Sequence, residues 1–334
     1  MKKVLLIGGS GFIGRNILEY FKESDKYSII APSSKELNIL DEDKVAKYLQ
    51  ENYFDIVLNF AIYGDGVDKS KDGTKMLEYN LRMFLNFEKN LHAGLAPMNK
   101  EIHQFRAVKE AWELDRMRKA QEITDKAFTQ MLTKIKAGLT EKQLQAELIY
   151  CLLSNGADGL AFDPIVVSGP KTSMPHGVAG DRVVQEGEFI TMDFGALYGG
   201  YCADMTRTVA VGYATEEMEK VYNTVLEAQL AGIAATKSGL AGKEIDAAAR
   251  KVIEDAGYGA YFGHGYGHCL GMEVHEAPNC NPSGEVAMQP GMVSSAEPGI
   301  YLPGKFGVRI EDVVIFTENG FENITRSPKN LIIV

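Results

Sequence analysis

The chain of 334 residues has one tryptophan, four cysteines, no excess of basic residues, and no apolar stretch long enough to span a bilayer. Each shortage narrows the function. Cys151, Cys202, Cys269 and Cys280 form no C-x-x-C pair and suit a reducing compartment, where isolated cysteines are mostly small core residues. The cytoplasm is therefore the expected location. Residues 1–100 hold 14 of the 35 Lys+Arg and 14 of the 45 Asp+Glu, so the net charge of −10 falls wholly on residues 101–334. An acidic body of this kind excludes a nucleic-acid partner, and the lack of a spanning segment argues against a membrane partner. The start, Met1 to Ile7, has the charge and the first apolar residues of a signal peptide, but Gly8, Gly9, Gly11, Gly14 and Arg15 break the run. With 45% hydrophobic and 24% charged residues, the chain has ordinary globular composition and material for two domains.

What is present begins with Val4-Leu-Leu-Ile-Gly8-Gly-Ser-Gly11-Phe-Ile-Gly14, which reads as a buried parallel strand, a G-x-x-G-x-x-G turn and the start of an amphipathic helix. A second strand (27–31), a helix (42–51), a third strand (54–59) and a helix (74–90) follow in βαβ rhythm. This segment resembles the N-terminal half of extended short-chain dehydrogenases and NAD-dependent epimerases, including Asn80 in Tyr79-Asn-Leu81. The resemblance implies a half-Rossmann unit in which Gly8, Gly11, Phe12, Ile13 and Gly14 would meet a nucleotide. Two departures count against that use. Pro32-Ser-Ser-Lys35 replaces the acid that holds a ribose diol, and Ser34 or Lys35 would suit a 2′-phosphate better. No Tyr-x-x-x-Lys proton-transfer pair follows within residues 1–100. NAD(P) binding is not expected, and a structural remnant is the reading adopted. Three strands would leave the first strand's edge bare, which predicts a cover from the second domain or a partner chain. The boundary falls near residues 91–100, where Gly94 and Pro97 interrupt a helical pattern, giving domains at 1–98 and 102–334.

Half of the six histidines lie within twelve residues, at His264, His268 and His275, and acidic residues in apolar strand-like runs flank them. The acids are Asp193, Asp204, Glu297 and Glu311. An ionised carboxylate in an apolar strand is costly without a compensating cation, so the cluster reads as a buried metal site. Four carboxylates and one imidazole favour Mn²⁺ or Co²⁺, with Fe²⁺ or Zn²⁺ as other occupants, and Cys269 is not expected to be a ligand. Two such ions would polarise a bridging water enough to make it a hydrolytic nucleophile near neutral pH.

The second domain also repeats itself. A long amphipathic helix is predicted from Arg106 through Trp112, Leu114, Met117 and Ile123 to about Ile135. After it, 136–146 aligns with 237–247, and Gly156 with Gly257, at an offset of 101. Glu186–Asp193 aligns with Pro290–Glu297, and Asp204 and Glu311 each follow a turn, at Gly199-Gly200 and Pro303-Gly304. Thr140 and Gln143 have capping-box spacing for the first repeat helix. Each half thus offers a β-hairpin bearing two inward carboxylates. A pseudo-twofold axis would gather the four beneath one sheet with helices on its other face.

On these motifs, residues from about 102 to 334 resemble the catalytic domain of the aminopeptidase P, prolidase and methionine aminopeptidase superfamily, the pita-bread fold. The resemblance implies α/β plus α+β architecture: a half-Rossmann βαβ unit followed by a duplicated αββ metallopeptidase domain. It implies that Asp193 holds one metal, that His268 and Glu297 hold the other, and that Asp204 and Glu311 bridge both. His176, His264, His275 and Arg309 would line the substrate site, with His275 or His176 stabilising the oxyanion and Glu297 carrying a proton. Arg309 has a better claim than Arg207 to support a ligand carboxylate, lying two residues from Glu311 on one strand face. Pro175-His176-Gly177, Gly263-His-Gly265 and Val308-Arg-Ile-Glu-Asp312 resemble the proline-cleaving branch more than the methionine branch. The implied activity is an Xaa-Pro aminopeptidase acting on short peptides with proline at the second position. The alternatives are an Xaa-Pro dipeptidase, a catalytically silent peptide-binding module, and a nicotinamide enzyme based on the N-terminal glycines. The branch's usual N-terminal domain is replaced here, which leaves substrate length and a homo-oligomeric assembly open.

Overall fold

A computed structural model describes residues 1–61, 81–87, 90 and 104–334. Asn80, His92, His103, most of the helix predicted over 74–90 and the boundary segment 91–100 lie outside the described residues. The chain divides into two compact units, Met1–Pro97 and Met98–Val334.

In the first unit, β1 (Lys2–Ile7), α1 (Phe12–Tyr20), β2 (Tyr27–Ile30), α2 (Glu42–Glu51) and β3 (Ile56–Asn59) follow the predicted order. The sheet is parallel with order β2-β1-β3. The first strand is therefore central, and the expectation that its edge lies bare is wrong. Its apolar run explains the placement, because Leu5 and Leu6 are fully buried whereas β2 and β3 are only half-buried. The turn after β1 needs glycine for steric reasons: a Cβ on Gly14 would lie 2.3 Å from the Gly8 carbonyl oxygen.

The second unit opens with α3 (Ala111–Met131), which is shorter than the sequence suggested. Glu113 takes the Glu110 N–H at 2.7 Å, fixing the helix start there. The preceding Lys109 is drawn away from a helical path, its N–H donating to Gly291 O and its buried ammonium bonding Glu276. The duplication is visible in the backbone. Helices α4 (Glu141–Ser154) and α5 (Glu216–Ala235) are followed by β strands and by α6 (Gly242–Asp255), and α4 and α6 are the matched helices. Left-handed glycines recur at Gly138 and Gly239 before these helices and at Gly156 and Gly257 after them. Thr140 and Gln143 make the predicted capping box; in the second copy Ala241 has no hydroxyl and Glu244 alone takes its N–H.

The first half holds β4 (Gly159–Leu160), β5 (Ile165–Ser168), β6 (Phe189–Phe194), β7 (Ala196–Tyr198), β8 (Tyr201–Cys202) and β9 (Met205–Ala210). The second holds β10 (Gly267–Cys269), β11 (Glu276–Cys280), β12 (Val293–Ala296), β13 (Gly299–Leu302), β14 (Phe306–Arg309), β15 (Asp312–Thr317) and β16 (Gly320–Asn323). Strand β6 pairs antiparallel with β9, and β12 with β15, while β7–β8 and β13–β14 close the two hairpins. Instead of one sheet there are several short ones, because each hairpin kinks midway. A Cβ on Gly195 would lie 1.8 Å from Ala203 O, so only glycine lets the two arms of the first hairpin cross there. In the second hairpin Pro298, without an N–H, lies in the break between β12 and β13, one residue before Gly299, the match of Gly195. The helices of the two halves pack in separate cores against β6 and β9 and against the β12 and β15 region. The halves meet where Glu311 N–H donates to Thr206 O at 3.0 Å and Thr208 Oγ1 donates to Arg309 O at 3.0 Å.

Candidate metal centre

The kinks decide where the carboxylates go. Asp193 lies within β6 and His268 within β10, but Asp204, Glu297 and Glu311 occupy the breaks between β8 and β9, β12 and β13, and β14 and β15. The sequence reading had put all four acids inside strands. Leaving the ladder frees each side chain from strict alternation, so acids from both halves turn toward a common centre.

All nine catalytic and metal-ligating residues named from the sequence line one cavity of about 380 Å³. Asp193, Asp204, His268, Glu297 and Glu311 form its floor of acids and imidazole, and His176, His264, His275 and Arg309 stand around them. Phe162, Ile165, Pro175 and Val274 add apolar walls, with Asn279 and Asn281 beside them. One ligand atom from each of Asp204, His268 and Glu311 falls within a common 4.8 Å. Asp193 and Glu297 are outside that tighter group, Asp193 being bonded to Arg309 Nη2 at 2.6 Å and Glu297 to His268 Nε2 at 3.2 Å.

The donor set fits divalent cations. Asp193 Oδ1, Asp204 Oδ1 and Glu311 Oε1 are buried and have no hydrogen-bond partner, a costly condition for a carboxylate unless a cation meets the free oxygen. The His268 ring is set for ligation: Nδ1 lies 3.1 Å from Cys269 O, and a carbonyl can only accept, so Nδ1 carries the proton and Nε2 faces the acids. Burial, then the charges of Glu311, Asp193 and Glu297, raises the Asp204 carboxyl well above its ordinary value. Burial, then Glu297 and Asp193, does the same for Glu311. Burial also raises Asp193, against the pull of Arg309. Glu297 goes the other way, to about 2; burial opposes its charge, but the bond and charge of His268 dominate. The cluster thus holds more negative potential than it can ionise by itself.

Arg309 does support a carboxylate, but the partner is Asp193 of the other half, because the strand breaks between Arg309 and Glu311. Arg207 is also buried, bonding Asp312 and the Glu311 carbonyl rather than any ligand carboxylate. Two residues escaped the sequence reading. Tyr301 accepts from Arg309 Nη1 at 3.0 Å and lies 2.8 Å from His264 Nε2. His264 Nδ1 sits 2.8 Å from Gly265 O and must donate to it, so in the neutral ring Nε2 accepts the Tyr301 proton. Burial keeps this ring neutral by lowering its pKa. Thr206 Oγ1 accepts from Arg309 Nε at 3.0 Å and donates to Glu311 Oε2 at 2.6 Å, leaving Oε1 as the free oxygen. Neither had a sequence signal, since a tyrosine and a threonine in apolar strands read as packing.

His176 and His275 are exposed at the cavity. The His275 ring centre lies 4.2 Å from that of His268, and partial burial on that side, followed by the His268 charge, lowers its pKa. In the other unit, Gly8, Gly11 and Gly14 build the turn, Phe12 opens α1, and Ile13 is half exposed. The Gly11 N–H is already bonded to Gly8 O at 3.0 Å.

Residues 115–318 match the model of metallopeptidase family M24, and residues 4–93 match that of the NAD dependent epimerase/dehydratase family. The chain is 42% identical over 231 residues to the Xaa-Pro dipeptidase of Pyrococcus furiosus, a match covering 69% of this chain and 66% of that protein. Among solved structures it resembles the Xaa-Pro dipeptidase from Bacillus anthracis with a TM-score of 0.78 and 37% identity, over 99% of this chain and 86% of that one. It also resembles the X-Pro aminopeptidase from Thermotoga maritima MSB8, with a TM-score of 0.76 and 34% identity over 99% and 87% of the two chains.

Proposed function

This chain belongs to metallopeptidase family M24, and on that premise we propose that it is an Xaa-Pro dipeptidase loaded with two divalent metal ions, Mn²⁺ or Co²⁺ by the hardness of its oxygen donors. It has the pita-bread fold, preceded by a Rossmann-like parallel unit. The sequence pointed first to an Xaa-Pro aminopeptidase acting on short peptides. The relative and the structure named as dipeptidases favour the shorter substrate.

The observation that carries the metal reading is the set of three buried, unpartnered carboxylate oxygens from Asp193, Asp204 and Glu311. With His268 and Glu297 these residues would hold the ions. When bound, the ions supply Lewis acidity and a water of lowered pKa. The chain's own residues do the rest. Arg309 fixes Asp193, and Thr206 fixes Glu311. His275, neutral by its lowered pKa, offers an N–H to the scissile carbonyl oxygen, and His176 stands at the cavity to assist. Glu297 holds the proton released to the leaving amine. Phe162, Ile165, Pro175 and Val274 form an apolar wall suited to a pyrrolidine ring. The four buried, unpaired cysteines support a cytoplasmic setting.

Gly-Pro hydrolysis by the full chain, measured after chelation and after readdition of Mn²⁺ or Co²⁺, tests this reading. Loss and recovery are expected, and turnover unaffected by chelation would end it. The likeness to an X-Pro aminopeptidase supports a second reading. A Gly-Pro tripeptide cleaved faster than Gly-Pro would favour that reading.

A further inference from the structure

Gln145 and Asp246 occupy equivalent positions in the two copies of the duplicated helix, α4 and α6. Each reaches the loop that follows its helix, but by different means. In the first copy Gln145 Nε2 donates to Pro164 O at 2.6 Å. In the second copy the position is a buried acid, and one turn later Arg250 stands where the first copy has Ile149. Arg250 Nε and Nη2 donate to the two oxygens of Asp246 at 2.8 and 2.9 Å, a bidentate pair. The same guanidinium donates to Phe262 O at 3.1 Å and to His264 O at 2.7 Å. Asp246 Oδ1 also accepts the Tyr266 N–H at 2.9 Å. The guanidinium lies 4.2 Å from the Phe262 ring centre, and that ring meets the His264 ring edge to face at 5.1 Å.

Five loop residues, 262–266, are thus held at three backbone atoms and one ring by a single charged pair. The copy without a cavity histidine at the matching position, Asp163, has no such pair. We propose that Asp246 and Arg250 are positioning residues for His264: by fixing the loop they keep the Gly265 carbonyl on Nδ1, and so keep Nε2 as the acceptor facing Tyr301 and the cavity. The kinetic part rests on the peptidase reading. The guanidinium is required because two carbonyls and a carboxylate must be met in one plane, which a lysine ammonium cannot do.

The test uses the full-length, metal-loaded protein with Arg250→Ala and Arg250→Lys. Both variants are expected to lose about ten- to a hundredfold in kcat/KM on Gly-Pro while keeping metal content and circular dichroism. Added guanidinium should restore much of the loss in Arg250→Ala, and methylammonium should not. Ring ¹⁵N shifts of His264 should report the Nδ1–H tautomer in wild type, a mixture in Arg250→Ala, and recovery with guanidinium. Should Arg250→Ala fail to fold, Arg250→Lys carries both readouts. Unchanged ring shifts together with unchanged kinetics in a folded variant would overturn the proposal, as would a loss that guanidinium leaves untouched. If wild type does not cleave Gly-Pro, the dipeptidase reading falls, and the ring shifts alone decide the role of the pair.

Discussion

Replacing Glu311 with Gln is expected to make the metal-free protein more stable, although it removes a metal ligand. Glu311 Oε1 is buried without a partner, and Glu311 and Asp204 offer ligand atoms within 4.8 Å of each other. Two full charges at that separation repel by about 3.5 kcal/mol at an effective dielectric of about 20. The protein sheds part of this by taking up protons, since burial and then the charges of Glu297 and Asp193 hold the Glu311 pKa well above 4.5. A carboxyl whose folded pKa exceeds its unfolded value gives stability that is complete below the unfolded value and lost as the pH rises through the folded one. Metal-free wild type should therefore weaken as the pH rises above 4.5 toward the raised folded value. The glutamine is neutral throughout; its oxygen can accept the Thr206 proton, and its amide can donate toward Asp204. Protonation already relieves some of the repulsion, so the net gain near pH 8 is about 2 kcal/mol, or about 4–8 °C in melting temperature for a unit of this size. Calorimetry in excess chelator reads the difference directly. Adding Mn²⁺ should reverse the order of the two proteins. A variant that melts below wild type in chelator near pH 8 would refute the reasoning.

Arg309→Met strands the Asp193 carboxylate in a buried site and should cost about 3–5 kcal/mol of stability, measurable by urea unfolding; a loss below about 1 kcal/mol would contradict the pairing. Tyr301→Phe keeps the ring but cuts the link from Arg309 to His264. It should lower kcat/KM by about ten- to a hundredfold with the fold intact, and unchanged kinetics would show the hydroxyl to be idle. Gly195→Ala would place a Cβ 1.8 Å from Ala203 O, forcing apart the hairpin arms that carry Asp193 and Asp204. Calorimetric titration should then show weakened Mn²⁺ binding, and wild-type affinity would contradict the crossing of the arms.

The site was more legible in the sequence than its geometry. Residue type and order singled out Asp193, Asp204, His268, Glu297 and Glu311, which line one cavity, because acids in apolar runs advertise an unmet charge, and the repeat showed that the acids come in pairs. The breaks that aim them were hidden: Gly195 and Pro298 look like ordinary turn residues until the opposing backbone is known. Partner choice was hidden for the same reason. Arg309 seemed to serve Glu311, its neighbour in sequence, but bonds Asp193, 116 positions away. Lys109 ends the expected long helix through Glu276, 167 positions away. In the first unit the βαβ rhythm was plain, but the choice of β1 over β2 as partner of β3 is tertiary and left no local mark.

The central claim is that two halves of a duplicated domain bring five side chains around two divalent cations. Anomalous diffraction at the manganese edge, from crystals grown with Mn²⁺, tests it most directly. Two peaks are predicted in the cavity, both touching Asp204 and Glu311, one also touching Asp193 and the other His268 and Glu297. A cavity without manganese peaks, or a single ion that leaves Asp193 bound only to Arg309, would contradict the account.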